Sequence, residues 1–111
     1  MAFYWIAFDR YTINYTAGKA LQSKESGADI VCFNGNNFIG LLRFFSDSTI
    51  IPDNQRLSDG TIYLYYEMSR FNDVMTLIRY EKPLFLAINA DTKYGYIGCG
   101  QLEPVGEQEG V

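Results

Sequence analysis

The sequence predicts an α+β domain: a mainly antiparallel sheet of about six strands with one amphipathic helix packed on a face. Segments rich in Tyr, Phe, Val and Ile, typical of strands, occupy most of the chain. A single segment has the 3.6-residue apolar period of a helix. Too little helix is present to supply a crossover after every strand, which excludes a doubly wound parallel sheet.

The first strand signal covers residues 3–16, where aromatic and β-branched residues are frequent. Within it, Tyr11, Ile13 and Tyr15 alternate with polar residues and so share one face. We expect one long strand, broken by a bulge near Asp9.

A hairpin follows over residues 29–47, with arms at residues 30–33 and 38–45. Its turn lies at Asn34-Gly35-Asn36-Asn37, because Asn and Gly tolerate the positive φ of a tight reversal. Its second arm, residues 38–45, is apolar on both faces, which predicts a place in the middle of the sheet or inside an interface. The one charged residue of that arm, Arg43, then needs a partner.

Residues 46–60 carry turn chemistry and are expected to form an excursion between strands. The strand predicted over residues 61–68 places Tyr63, Tyr65 and Glu67 on one side.

The only helix signal begins at Ser69, a suitable N-cap residue, and Pro83 prevents its continuation. Its apolar positions recur at i, i+3, i+4 and i+7 and predict a single buried stripe. The stripe consists of Phe71, Val74, Met75 and Ile78.

A second hairpin is predicted from residues 84–90 and 94–100, where glycines relieve crowding in a twisted strand. We assign residues 1–102 to one domain and residues 103–111 to an acidic, flexible tail.

Charge and composition exclude several functions. The net charge is −4 and the basic residues are scattered, which argues against nucleic-acid binding. Histidine is absent, so His-based catalysis and the usual zinc sites are excluded, and we expect no metal and no cofactor.

The apolar N-terminus lacks a basic n-region, and no apolar run approaches the roughly 20 residues of a membrane span. We therefore expect a cytoplasmic protein without membrane contact.

Cys32 and Cys99 are interpreted as two structural thiols, since most free cysteines behave as small core residues. A disulfide between them stays open if their strands are neighbours.

Aromatic residues are the most distinctive feature, with nine Tyr, eight Phe and one Trp. Such side chains favour protein interfaces, and no complete catalytic set is present. The leading hypothesis is a non-catalytic binding or protein-interaction domain that uses an aromatic-rich sheet surface, with a protein partner or self-association as a homodimer.

The alternative is a small-molecule binding protein for an anionic ligand, or a weak enzyme, with a pocket around Arg43, Glu67, Tyr63 and Tyr65. An Arg43–Glu67 ion pair across adjacent strands is the simpler structural account of both charges. A third class, an acidic inhibitor of a nucleic-acid-binding protein, is supported by the charge balance alone.

Three short segments, Glu103-Pro104-Val105-Gly106-Glu107, Asn37-Phe38-Ile39-Gly40 and Glu81-Lys82-Pro83-Leu84, resemble a group of short uncharacterised bacterial proteins. The resemblance implies a bacterial origin and a cytoplasmic location, and it implies no activity or site.

Overall fold

The computed structural model describes residues 2–17, 27–46 and 50–100, and it confirms the α+β class. These residues form eight strands and one α-helix, which a 3-10 turn precedes. In chain order the elements are β1 (Phe3–Phe8), β2 (Arg10–Tyr15), β3 (Ala28–Asn34), β4 (Asn37–Phe45), β5 (Gln55–Arg56), β6 (Ile62–Glu67), the 3-10 turn (Met68–Arg70), α1 (Phe71–Tyr80), β7 (Leu84–Asn89) and β8 (Gly95–Cys99).

The strands form two sheets instead of one sheet of about six strands. A three-stranded antiparallel sheet has the order β1-β7-β8, and a five-stranded sheet has the order β2-β3-β4-β6-β5. All pairs are antiparallel except β4–β6, which is parallel. The predicted central position of the second hairpin arm is confirmed, because β4 lies between β3 and β6.

The expectation of one long N-terminal strand is wrong, since the chain changes sheet at Asp9. The Asp9 N–H donates to the Phe33 carbonyl at 2.9 Å, and the Asp9 carboxylate accepts the Gly35 N–H at 2.9 Å. Asn34 Nδ2 donates to the Ala7 carbonyl at 3.3 Å. These bonds attach the corner to the β3–β4 turn, where Gly35 supplies a positive φ of 62°.

The excursion between β4 and β6 returns the chain to the end of the sheet where β4 began, which makes the two strands parallel. The short strand β5 lies in that excursion and pairs antiparallel with β6. A β-bulge in the β3–β4 hairpin shifts its register between Cys32 and Phe33.

The helix is confirmed, although α1 begins two residues after Ser69. Ser69 lies in the 3-10 turn, and Arg70 occupies the N-cap position without a side-chain cap. The predicted stripe is buried. One core joins this stripe to the inner faces of both sheets, and its fully buried members include Ile30, Leu42, Phe44, Ile62, Leu64, Leu86 and Ile88.

The second predicted hairpin is confirmed as β7–β8. The acidic tail assigned to residues 103–111 lies outside the described residues. Among the residues that the structure covers, no helix has the length and apolar character to cross a membrane.

Candidate functional site

The four residues predicted as a site lie on one face of the five-stranded sheet, directed away from the core. Arg43 on β4 is opposite Tyr65 on β6, and Leu41 is opposite Tyr63. Glu67 is opposite Phe45, one strand position beyond Tyr65 on that face. The structure therefore brings the predicted residues together on two neighbouring strands.

The expected Arg43–Glu67 ion pair is wrong, because Arg43 pairs with Asp29. Asp29 lies directly opposite Arg43 on the antiparallel neighbour β3. Arg43 Nε donates to Asp29 Oδ1 at 3.0 Å, and Arg43 Nη2 donates to Asp29 Oδ2 at 3.4 Å. This hydrogen bonding raises the pKa of Arg43 above its usual value. The charge that an anionic ligand would need is thus already neutralised within the sheet.

Tyr65 is also engaged within the sheet. Its backbone N–H donates to Asn54 Oδ1 at 2.8 Å, and its hydroxyl accepts a hydrogen bond from Gln55 Nε2 at 2.7 Å. Its ring lies 5.9 Å from that of Phe45. Leu41, on the same face, is only 6% exposed.

We call this surface the ion-pair face. It consists of Asp29, Val31, Phe33, Leu41, Arg43, Phe45, Tyr63, Tyr65 and Glu67. Apart from the exposed Glu67, its side chains are buried or half-buried.

A second cluster of rings lies on the outer side of the three-stranded sheet, and we call it the aromatic face. It consists of Phe3, Trp5, Phe85, Tyr94 and Tyr96. The ring centroids of Trp5 and Phe85 are 5.8 Å apart, those of Phe85 and Tyr96 6.1 Å, and those of Tyr94 and Tyr96 5.8 Å. Phe3 joins the cluster at 6.3 Å from Tyr96. The five rings therefore form one connected surface.

The aromatic face is more exposed than the ion-pair face. Trp5 is 64% exposed, Tyr94 65% and Phe3 39%. A shallow cleft of about 460 Å³ lies among Phe3, Trp5, Phe85 and Tyr96 and reaches Cys99. The outward positions of the three strands carry no acidic or basic side chain, and they are Phe3, Trp5, Ala7, Phe85, Ala87, Asn89, Tyr96 and Gly98.

Gly98 makes room for this surface. It lies opposite Phe85, and a Cβ atom at position 98 would come within 2.8 Å of Phe85 Cζ. The glycine therefore lets the Phe85 ring lie across β8 towards Tyr96, which agrees with the interpretation that glycines relieve crowding in this strand.

Sequence reasoning did not single out Phe3, Trp5 or Phe85. The available signal was the alternation of Phe3 and Trp5 with Tyr4 and Ile6, which a period of two assigns to opposite faces. The aromatic side could not be recognised as exposed until the chain was seen to change sheet at Asp9.

Neither cysteine is part of a disulfide. Burial raises the pKa of the Cys32 thiol to about 12, so this residue stays protonated and is not a nucleophile at neutral pH. Cys99 is partly exposed at the end of the aromatic cleft. The described part of the chain contains no group of three or more His, Cys, Asp or Glu residues that could hold a metal ion.

A smaller cleft of about 240 Å³ lies between the two sheets, beside the aromatic face. The Arg56 guanidinium lies 3.9 Å above the centre of the Tyr4 ring at this cleft. The Asp59 carboxylate accepts the Thr61 N–H at 3.0 Å and the Thr61 hydroxyl at 2.7 Å. These two hydrogen bonds lower the pKa of Asp59.

No protein-family model, curated protein sequence or solved structure shows significant similarity to this chain, so the resemblance to short bacterial proteins stays a prediction.

Proposed function

We propose that this chain is a non-catalytic protein-interaction domain and that the aromatic face is its binding surface. The observation that carries the proposal is the combination of five contacting rings with uncharged outward positions on all three strands. The partner would be a protein with an apolar patch that covers Trp5 and Tyr94.

The energetics of association favour this face. The centres of protein interfaces are enriched in Tyr, Trp and Phe and depleted of charged residues. Covering Trp5 and Tyr94 would remove a large apolar area from water, and the outward positions of the three strands carry no ion that would lose its solvent.

Two tyrosines provide a matched test. Tyr94 on the aromatic face is 65% exposed, and Tyr80 at the end of α1 is 63% exposed. Peptides would be selected from a random display library on the wild-type chain, and their affinities measured for Tyr94→Ala, Trp5→Ala and Tyr80→Ala. We expect apolar, aromatic-rich peptides whose affinity falls at least tenfold for the first two variants and stays unchanged for Tyr80→Ala.

Trp5 is the only tryptophan of the chain, so its fluorescence reports directly on this surface. Binding of a selected peptide should shift its emission to the blue as water is displaced. Peptides that bind Tyr94→Ala and Trp5→Ala as tightly as the wild type would contradict the proposal.

If the chain binds an anionic ligand, Arg56 is a better candidate than Arg43 for the group that binds it. Arg43 already donates two hydrogen bonds to Asp29, whereas Arg56 borders the cleft between the sheets and lies on the Tyr4 ring. Phosphate, citrate and succinate are suitable probes. If this function holds, one of them raises the Tm of the wild type and of Arg43→Gln but not of Arg56→Gln. An unchanged Tm with all three would rule against it.

A further inference from the structure

Among residues 2–17, 27–46 and 50–100, which the structure describes, the strand β2 is an edge of the five-stranded sheet. Its one partner there is β3, and all six of its residues are exposed. Its apolar side chains include Tyr11 at 38%, Ile13 at 38% and Tyr15 at 63% exposure. An edge strand of this length that lacks proline is a template for pairing with another strand.

The hydrogen-bonding pattern shows which backbone groups face outward. The Thr16 N–H donates to the Gly27 carbonyl at 3.0 Å, so this is a hydrogen-bonded pair of the antiparallel β2–β3 ladder. Because such pairs alternate, Thr12 and Asn14 also bond towards β3. The N–H and C=O groups of Tyr11, Ile13 and Tyr15 therefore point away from the sheet.

We propose that a second copy of this chain pairs with β2 in antiparallel orientation, with the two-fold axis at Ile13. In this register Tyr11 lies opposite Tyr15 of the partner subunit, and Ile13 lies opposite Ile13 of the partner subunit. All three outward residues of each strand then exchange both backbone hydrogen bonds. The two five-stranded sheets become one continuous sheet with an isologous interface.

The neighbouring register is less favourable. An axis at Thr12 would put Tyr15 opposite Asp9 of the partner subunit. The Asp9 N–H already donates to the Phe33 carbonyl and so cannot complete the ladder. An axis at Asn14 would put Tyr11 opposite Ala17 of the partner subunit, which lies beyond the end of β2. The axis at Ile13 is therefore the register in which all three outward residues pair within β2.

Charge and side-chain chemistry suit self-pairing. Arg10 is the only charged residue of β2. With the axis at Ile13, Arg10 lies opposite Thr16 of the partner subunit, so no like charges meet. The Tyr11–Tyr15 contact forms twice, and aromatic cross-strand pairs stabilise sheets. The pairing uses no residue of the aromatic face, so it is independent of the function proposed for that face.

A charge-complementation experiment on the full chain tests the interface. Ile13→Lys and Ile13→Glu each place like charges opposite one another at the axis, so each variant alone should run as a monomer in analytical ultracentrifugation. Mixing the two variants should restore a dimer, as a heterodimer, which also shows that both are folded. Ile50→Lys is the matched control, since Ile50 is 93% exposed and lies outside β2, and it should dimerise like the wild type.

Cysteine cross-linking tests the register. Opposed residues of a hydrogen-bonded pair have Cα atoms about 5.5 Å apart, within the range of a disulfide. In a Cys99→Ser background, Ile13→Cys should form a cross-linked dimer under mild oxidation, whereas Thr12→Cys should not. A wild-type chain that stays monomeric up to about 1 mM would overturn the proposal, that being the Kd of a very weak complex. A dimer that Ile13→Lys leaves intact, or Lys and Glu variants that do not combine, would overturn it equally.

Discussion

The aromatic face and the ion-pair face both present aromatic rings on the outer side of a sheet. They differ in how much of each surface is already covered by contacts within the chain. On the ion-pair face Leu41 is 6% exposed, and Arg43 is held by Asp29 at 3.0 Å. On the aromatic face Trp5 remains 64% exposed. The number of aromatic residues therefore does not identify a binding surface, whereas their remaining exposure and the uncharged outward positions of their strands do.

The ion-pair face should accordingly contribute to stability and the aromatic face to binding. The largest expected effect is that of Leu41→Ala. Leu41 lies between Val31 and Tyr63 on neighbouring strands, and truncation leaves a cavity there. We expect the free energy of unfolding in urea to fall by about 2–4 kcal/mol. Ile50→Ala, at a 93% exposed position, should change it by less than about 0.5 kcal/mol. Equal effects of the two substitutions would show that the ion-pair face is not a packed surface.

The next largest effect on the free energy of unfolding distinguishes Asp29 from Glu67, the two carboxylates of the ion-pair face. Asp29→Asn weakens both hydrogen bonds to Arg43, and the two side chains keep 22% and 34% of their exposure, so solvent screens part of the loss. We expect a decrease in the free energy of unfolding of about 1–2 kcal/mol. Glu67→Gln should leave it within about 0.5 kcal/mol. A larger loss of stability for Glu67→Gln than for Asp29→Asn would favour the Arg43–Glu67 ion pair predicted from the sequence.

Trp5→Ala tests the opposite side of the comparison. This substitution removes the ring contact with Phe85 but little buried area, so the free energy of unfolding should fall by about 1 kcal/mol or less. Peptide binding should nevertheless be lost. A stability loss as large as that of Leu41→Ala would mean that the aromatic face is also mainly structural.

The smallest effect concerns acid. The two hydrogen bonds from Thr61 hold the folded-state pKa of Asp59 below its usual value, so its contribution to stability is complete above the pKa of the unfolded chain and is lost as the pH falls through the folded pKa. Asp59 and Trp5 line the same cleft, so this turn is the acid-sensitive rim of the aromatic face. Thermal unfolding from pH 6 to pH 2 should show a slightly steeper loss of Tm for the wild type than for Asp59→Asn. If Tm falls equally with pH in the wild type and in Asp59→Asn, Asp59 does not contribute to the acid sensitivity.

Local patterns predicted the parts of the fold that depend on neighbouring residues. The helical stripe, both hairpins and the central position of β4 followed from periodicity and turn chemistry. The interruption at Asp9 was predicted only as a bulge, because a single residue without Gly or Pro does not indicate that the chain changes sheet. The parallel β4–β6 pair also depends on the direction in which residues 46–61 return, which composition does not encode.

The partner of Arg43 was missed for a specific reason. Counted back from the Asn34–Asn37 end of the hairpin, Asp29 would face Leu42 and point to the other side of the sheet. The bulge between Cys32 and Phe33 shifts the register by one, which places Asp29 opposite Arg43. One extra residue thus decided which carboxylate neutralises the guanidinium.

The corner at Asp9 has a mechanical consequence. The chain passes from β1 to β2 through this one residue, which is fastened by its own N–H and carboxylate to the β3–β4 turn. Because the connection is one residue long and hydrogen-bonded, it holds the two sheets at a fixed position relative to each other at this point. We expect a pulling force applied at Trp5 to be transmitted through Asp9 to β3 and β4 in the middle of the five-stranded sheet. The two sheets should therefore move together as one rigid unit.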